Sequence, residues 1–149
     1  MSREPVLRMI DAVTLPVPDL ERGLAFYRDR LGHELLWRDD DLGQAGLRLP
    51  DGATELVLSA RLDYAPNWLV ASVDAAVDRI VAAGGAVLAP PTPIPVGRLA
   101  VVADPFGNTL VLLDLSTGRY ATDEAGQVIG VTRDDGDDAS RRVPPAATP

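Results

Sequence analysis

IDAVTLPVPDLERGLAFYRDRLG, residues 10–32, carries two periodicities in succession. Val13, Leu15 and Val17 alternate with Ala12 and Thr14, which is the period of a strand. Leu20, Leu24, Tyr27 and Leu31 then recur at helical spacing, with Pro18 and Asp19 suited to a first turn and Gly32 to the C-terminal cap. The spacing predicts a strand over about 9–17 and a helix over about 18–31. Three short strand-like segments follow, HELLWR, GQAGLRLP and TELVLSA, separated by the acidic run 39–41 and by Pro50, Asp51 and Gly52.

The order then begins again. NWLVA reads as a strand and SVDAAVDRIVAAGG as a helix, with Ser72 placed to cap it, Val73, Val77, Ile80 and Val81 as its apolar stripe, and Gly84 and Gly85 as its end. Residues 86–89, GRLAVVA and NTLVLLDL supply three more strands, and the proline-dense PPTPIP at 90–95 is expected to be a connecting loop. DGATELVLSA at 51–60 reads against FGNTLVLLDL at 106–115, with Gly52 over Gly107 and Thr54 over Thr109, so the chain looks duplicated with a period of about 52 to 55 residues. The expected class is α+β: two βαβββ modules, about 8–62 and 63–116, forming curved mixed sheets around a cleft with helices outside. Domain 1–120 is followed by an extension, 121–149, and RYATDEAGQVIGV at 119–131, across that boundary, suggests a hairpin around Glu124–Gly126. Beyond Thr132 little remains to bury, and a disordered acidic and proline-rich tail is expected.

Composition narrows the chemistry. A chain of 149 residues, 46% hydrophobic, is long enough to bury one core. Cysteine is absent, so thiolate catalysis, disulfides and sulfur-bound zinc are excluded. All fourteen Lys+Arg positions are Arg, which excludes Schiff-base chemistry, and His33 is the single histidine. A formal charge of -8 with Arg scattered singly argues against nucleic acid and suits a neutral or cationic small ligand. No long apolar run and no secretory leader is visible, so no membrane partner and a cytoplasmic location are expected.

Two stretches, IDAVTLPVPDLERGLAFYRDRLG at 10–32 and GRLAVVADPFGNTLVLLDL at 97–115, resemble the vicinal oxygen chelate superfamily of glyoxalases, extradiol dioxygenases, and bleomycin and fosfomycin resistance proteins. The resemblance covers residues 9 to about 120. It implies paired modules around a cleft and a homodimer. In metal-dependent members the ligands stand on the first and last strand of each module. Here the first-strand position falls on Ala12, where the family usually shows His, and the closing-strand position counted from Asp104 falls on Val111, where it usually shows Glu. The Gly52 register makes Leu56 the counterpart of Val111, and Tyr64–Asn67 offers no His, Asp or Glu. No metal and no cofactor is therefore expected, because a transition ion needs nitrogen or carboxylate lone pairs.

With Ala12, Thr14, Leu56, Leu58, Val111 and Leu113 facing inward, the cleft is expected to be apolar. Trp37, Tyr64 and Trp68 are placed to line its mouth or to plug the seam between modules, and Arg98 to hold an anionic group or to pair with an acid such as Asp104. Asp11 is the candidate for acid-base work, but no second group converges on it, and no catalytic residue is assigned. The favoured expectation leans away from an enzyme. It is a metal-free binding protein that sequesters an aromatic or cationic small molecule, a drug or a metabolite. The alternatives are a metal-dependent lyase, isomerase or dioxygenase of the same superfamily, and an interaction module with a vestigial cleft.

Overall fold

The computed structural model describes residues 4–133, so the acidic cluster 134–138 and the rest of the expected tail lie outside the described residues. The first unit is β1 (Met9–Pro16), α1 (Leu20–Leu24), β2 (Leu35–Asp39), β3 (Gln44–Arg48) and β4 (Glu55–Ser59). The second is β5 (Ala65–Leu69), α2 (Val73–Ala82), β6 (Ala86–Ile94), β7 (Gly97–Ala103) and β8 (Thr109–Asp114). A hairpin of β9 (Arg119–Thr122) and β10 (Val128–Thr132) follows. The class is α+β. All eight strands of the two units join in one curved mixed sheet, ordered β2-β3-β4-β1-β5-β8-β7-β6, because β1 and β5 pair antiparallel at its centre.

Both helices pack on the convex face. Asp19 caps α1 by accepting from the Arg22 N–H at 2.8 Å. The coil then widens into a π-helical turn over Ala25–Arg30, where the Leu31 N–H donates to the Phe26 carbonyl at 3.0 Å. Leu20 and Leu24 lie against Ala45, Leu47, Leu56 and Leu58, and each fully buried leucine contributes on the order of 2–3 kcal/mol. Ser72 caps α2, and Val73, Ala76 and Val77 pack on Ala100, Val102 and Leu112. Val81, expected in that stripe, is 45% exposed.

PPTPIP is not a loop. Residues 90–94 belong to β6, which pairs with β7 alone through two irregularities in register, between Val87 and Ala89 and between Ala89 and Thr92. Prolines are tolerated there because an edge strand needs only one row of backbone partners. No helix among the described residues is long and apolar enough to cross a membrane.

Candidate functional site

Side chains alternate between the two faces of each strand, so the strand pairings decide what the concave face presents. Ala12 stands beside Glu55 on β4 and Asn67 on β5, and Asn67 beside Val111 on β8. These positions lie on the wall of a cavity of about 810 Å³ held in the curve of the sheet. Thr14, 2% exposed, accepts from the Asn67 amide at 3.1 Å beside it. Leu99, Val101, Val111 and Leu113 make the opposite side aliphatic.

Ala12, Thr14, Trp37, Tyr64 and Val111 all reach this cavity, Tyr64 at its mouth with 66% of its surface exposed. Leu56, Trp68 and Arg98 do not, and those three expectations are corrected. Leu56 and Leu58 point the other way, into the cluster beneath α1. Trp68 packs against the cluster beneath α2, and its indole N–H has no hydrogen-bond partner among the described residues. Arg98 pairs with Asp74 at 3.2 Å, not with Asp104.

The Leu56 error is a slip of one residue. Six residues, 49–54, separate the paired Arg48 and Glu55. Five, 104–108, separate the paired Ala103 and Thr109. Superposing the two turns glycine on glycine therefore shifts β4 by one place, and a one-place shift exchanges the faces of a strand. The residue level with Val111 is Glu55, a carboxylate that the internal repeat hid. The unequal connecting lengths show only that the faces are exchanged; the pairings that run from Glu55 to Ala12, Asn67 and Val111 across β4, β1, β5 and β8 place Glu55 at that level.

Glu55 accepts a hydrogen bond from the Trp37 indole N–H at 2.7 Å. Gly46 makes this possible, since a Cβ on Gly46 would overlap the Trp37 ring. Desolvation against the cavity wall pushes the Glu55 carboxyl up to about 7; the Trp37 bond opposes that rise, the nearby Asp11 charge adds to it and Arg119 counters it. Asp11 reaches the cavity because a bulge between Ile10 and Ala12 breaks the alternation of β1. Burial, followed by the charges of Asp39 and Glu55, pushes the Tyr120 hydroxyl up to about 12.

Other candidates have structural duties. His33 lies off the cavity, its Nδ1 3.1 Å from the Arg48 carbonyl oxygen. Asp104 accepts from the Phe106 and Asn108 N–H groups and holds its turn. Asp114, 3% exposed, accepts from the Val73, Arg98 and Ser116 N–H groups. Burial raises its pKa, but those bonds outweigh the effect and keep it below the usual carboxylate range.

A transition metal does not fit the donor set. Of the four converging positions, Ala12 and Val111 have no lone pairs, Asn67 is engaged with Thr14, and Glu55 is held by Trp37 and favours its neutral form. Among the described residues no three His, Cys, Asp or Glu side chains gather.

A model of the Glyoxalase/Bleomycin resistance protein/Dioxygenase superfamily matches residues 9–112. An uncharacterized protein of Mycolicibacterium smegmatis is 36% identical over 108 residues, 68% of this chain and 90% of that protein. Methylmalonyl-CoA epimerase from Mycobacterium tuberculosis shares the fold with a TM-score of 0.59 at 22% identity, over 76% of this chain and 92% of that one. A Streptomyces coelicolor methylmalonyl-CoA epimerase variant in complex with 2-nitronate-propionyl-CoA gives 0.58 at 25% identity, over 72% and 97%.

Proposed function

The chain belongs to the Glyoxalase/Bleomycin resistance protein/Dioxygenase superfamily, and we propose that within it this protein binds a small organic molecule without a metal. The observation that carries this reading is the Glu55 carboxyl, held by Trp37 on the wall of a largely aliphatic cavity, at a level where Ala12 and Val111 supply no donors. A cavity of about 810 Å³ suits a drug-sized ligand. Aliphatic strands and the Trp37 ring supply contact area, while Glu55 fixes one polar head, either a hydrogen-bond donor or a cation. Sequestration of an aromatic or cationic drug or metabolite is the role this suits. The same reading takes the protein as a cytoplasmic homodimer with no nucleic-acid partner.

The test uses 2-naphthylmethylamine as probe, followed by thermal shift and by quenching of Trp37 emission in a Trp68→Phe background. Because a raised carboxyl pKa delays ionisation, the probe should bind more tightly at about pH 8 than at about pH 6. Glu55→Gln should weaken binding and flatten that dependence. Binding that is equal in both proteins at both pH values would remove Glu55 from the site, and a wild type that binds neither this amine nor the corresponding alcohol and carboxylate would sink the reading.

A second reading is favoured by one observation, the Glu55 pKa near 7, which suits a group that exchanges protons at neutral pH. In it Glu55 abstracts a proton from a carbon acid, as an isomerase would, with no metal. The likeness to epimerases gives that reading its class, but a CoA ester carries several phosphates, and Arg119 is the one cationic side chain on the cavity wall among the described residues. Binding therefore stands first. Glu55-dependent incorporation of deuterium from D2O into a panel of carbon acids would reverse the order.

A further inference from the structure

The family match ends at residue 112, and the hairpin β9–β10 lies beyond it. This segment is tied to both outer ends of the sheet. At its base the Thr117 and Gly118 N–H groups donate to the Val96 carbonyl, in the turn between β6 and β7, at 2.9 and 3.1 Å. At its tip the Gly126 carbonyl accepts from the Arg38 N–H on β2 at 2.8 Å, and Gln127 bridges to Arg38. β2 and β6 are the two edges of the eight-stranded sheet. The hairpin thus spans the opening of the cup.

Its inward side chains complete the cavity. Arg119, Tyr120 and Thr122 line it. The Tyr120 ring stands 4.8 Å from that of Trp37 at an angle of 41°, and Tyr120 and Val128 pack on Ala12, Leu36, Trp37 and Val57. Tip docking is close: Gly126 has φ +87°, and a Cβ there would come within 3.0 Å of Leu35. The aromatic surface beside Glu55 is therefore made half by the sheet and half by the hairpin. Arg119 brings a positive charge that counters the rise Asp11 causes in the Glu55 pKa.

We infer that the β9–β10 hairpin is the specificity-determining wall of the cleft, Tyr120 setting the shape of the ligand's ring and Arg119 the charge its polar head carries. This rests on the binding reading above. With Asp11 and Arg119 both on the cavity wall and acting with opposite sign on Glu55, a head that is neutral and donates hydrogen bonds fits best, and the charge of Arg119 disfavours a cationic one. The ligand class is a neutral aromatic alcohol, phenol or amide of modest size.

Three probes share one ring and differ in charge: 2-naphthylmethanol, 2-naphthylmethylamine and 2-naphthoate. Dissociation constants are measured for the wild type, Arg119→Gln and Tyr120→Ala on the full chain at neutral pH, with far-UV circular dichroism to confirm folding. Wild type should favour the alcohol. Arg119→Gln should move the amine-to-naphthoate preference toward the amine by about tenfold, the factor that about 1.4 kcal/mol between nearby charges represents. Tyr120→Ala should weaken all three by a similar factor. Thr122→Phe, which adds bulk to the same wall where Tyr120→Ala removes it, should exclude them while its far-UV circular dichroism stays that of the wild type. Wild-type binding with an unchanged ranking in Arg119→Gln and unchanged constants in the other two variants overturns this inference and leaves the binding reading intact. A wild type that binds none of the probes overturns both.

Discussion

Gly46 is the single residue on which the geometry of the site turns. It is buried in β3 opposite Trp37, and the space a side chain would take is filled by the indole that donates to Glu55. Gly46→Ala should therefore push Trp37 outward at a cost of about 1–3 kcal/mol, as overpacking does. Urea unfolding reads the loss, and Trp37 emission in a Trp68→Phe background should shift to the red as the ring meets water. An unchanged emission maximum would show that the ring is not held there. At this same scale the sequence was legible only in part. Ala12 and Val111 could be assigned to the concave face because the family resemblance puts its ligand positions there, and Thr14 follows from Ala12 by the period of a strand. Glu55 could not, because one extra residue in a turn inverts a whole strand, and Asp11 could not, because a bulge is invisible in the pattern of apolar residues.

Among the elements, α2 depends on a residue from the far end of its own unit. Asp114 at the end of β8 accepts from Val73 at the first turn of α2, from Arg98 on β7 and from Ser116. Removing the carboxylate leaves buried N–H groups without partners, and Asp114→Ala should cost about 3 kcal/mol in urea unfolding, with Asp114→Asn retaining part of that. Equal stability of Asp114→Ala and wild type would mean that water replaces the carboxylate without loss. Element types were mostly legible, since helical and strand periods differ and Ser72, Gly32 and Gly84 mark ends. β6 was the exception, because proline excludes a residue from a central strand and not from an edge, and edge position is a property of the assembled sheet. The turn Asp123–Gln127 repeats the hydrogen bonding of Asp104–Asn108, with the aspartate accepting from the residues two and four ahead, so the hairpin was legible from its turn while its docking across the cleft was not.

For the whole molecule, Glu55 couples stability to pH. Below about pH 4.5 both folded and unfolded chains carry the proton; between 4.5 and about 7 the folded chain keeps it and the unfolded chain has lost it; above about 7 the fold must hold a charge at the cavity wall. Stability relative to Glu55→Gln should therefore fall as pH rises across that window, by about 3 kcal/mol in all, and stay level above it. Urea midpoints of the two proteins at several pH values measure the difference. A difference that grows with pH would reverse the sign and place Glu55 among carboxylates stabilised by charge.

The prolines of β6 have a consequence for how the protein behaves in company. A sheet edge with a full row of N–H and C=O groups is a template on which another chain can add a strand, and such addition continued from copy to copy is how fibrils grow. Pro90, Pro91 and Pro93 remove the donor from three of the nine residues of β6, while the Arg38 N–H on the opposite edge is already taken by Gly126. Copies of this chain find no complete backbone ladder at either end of the eight-stranded sheet, so the solution should remain clear of fibrils at concentrations where a bare-edged sheet would stack.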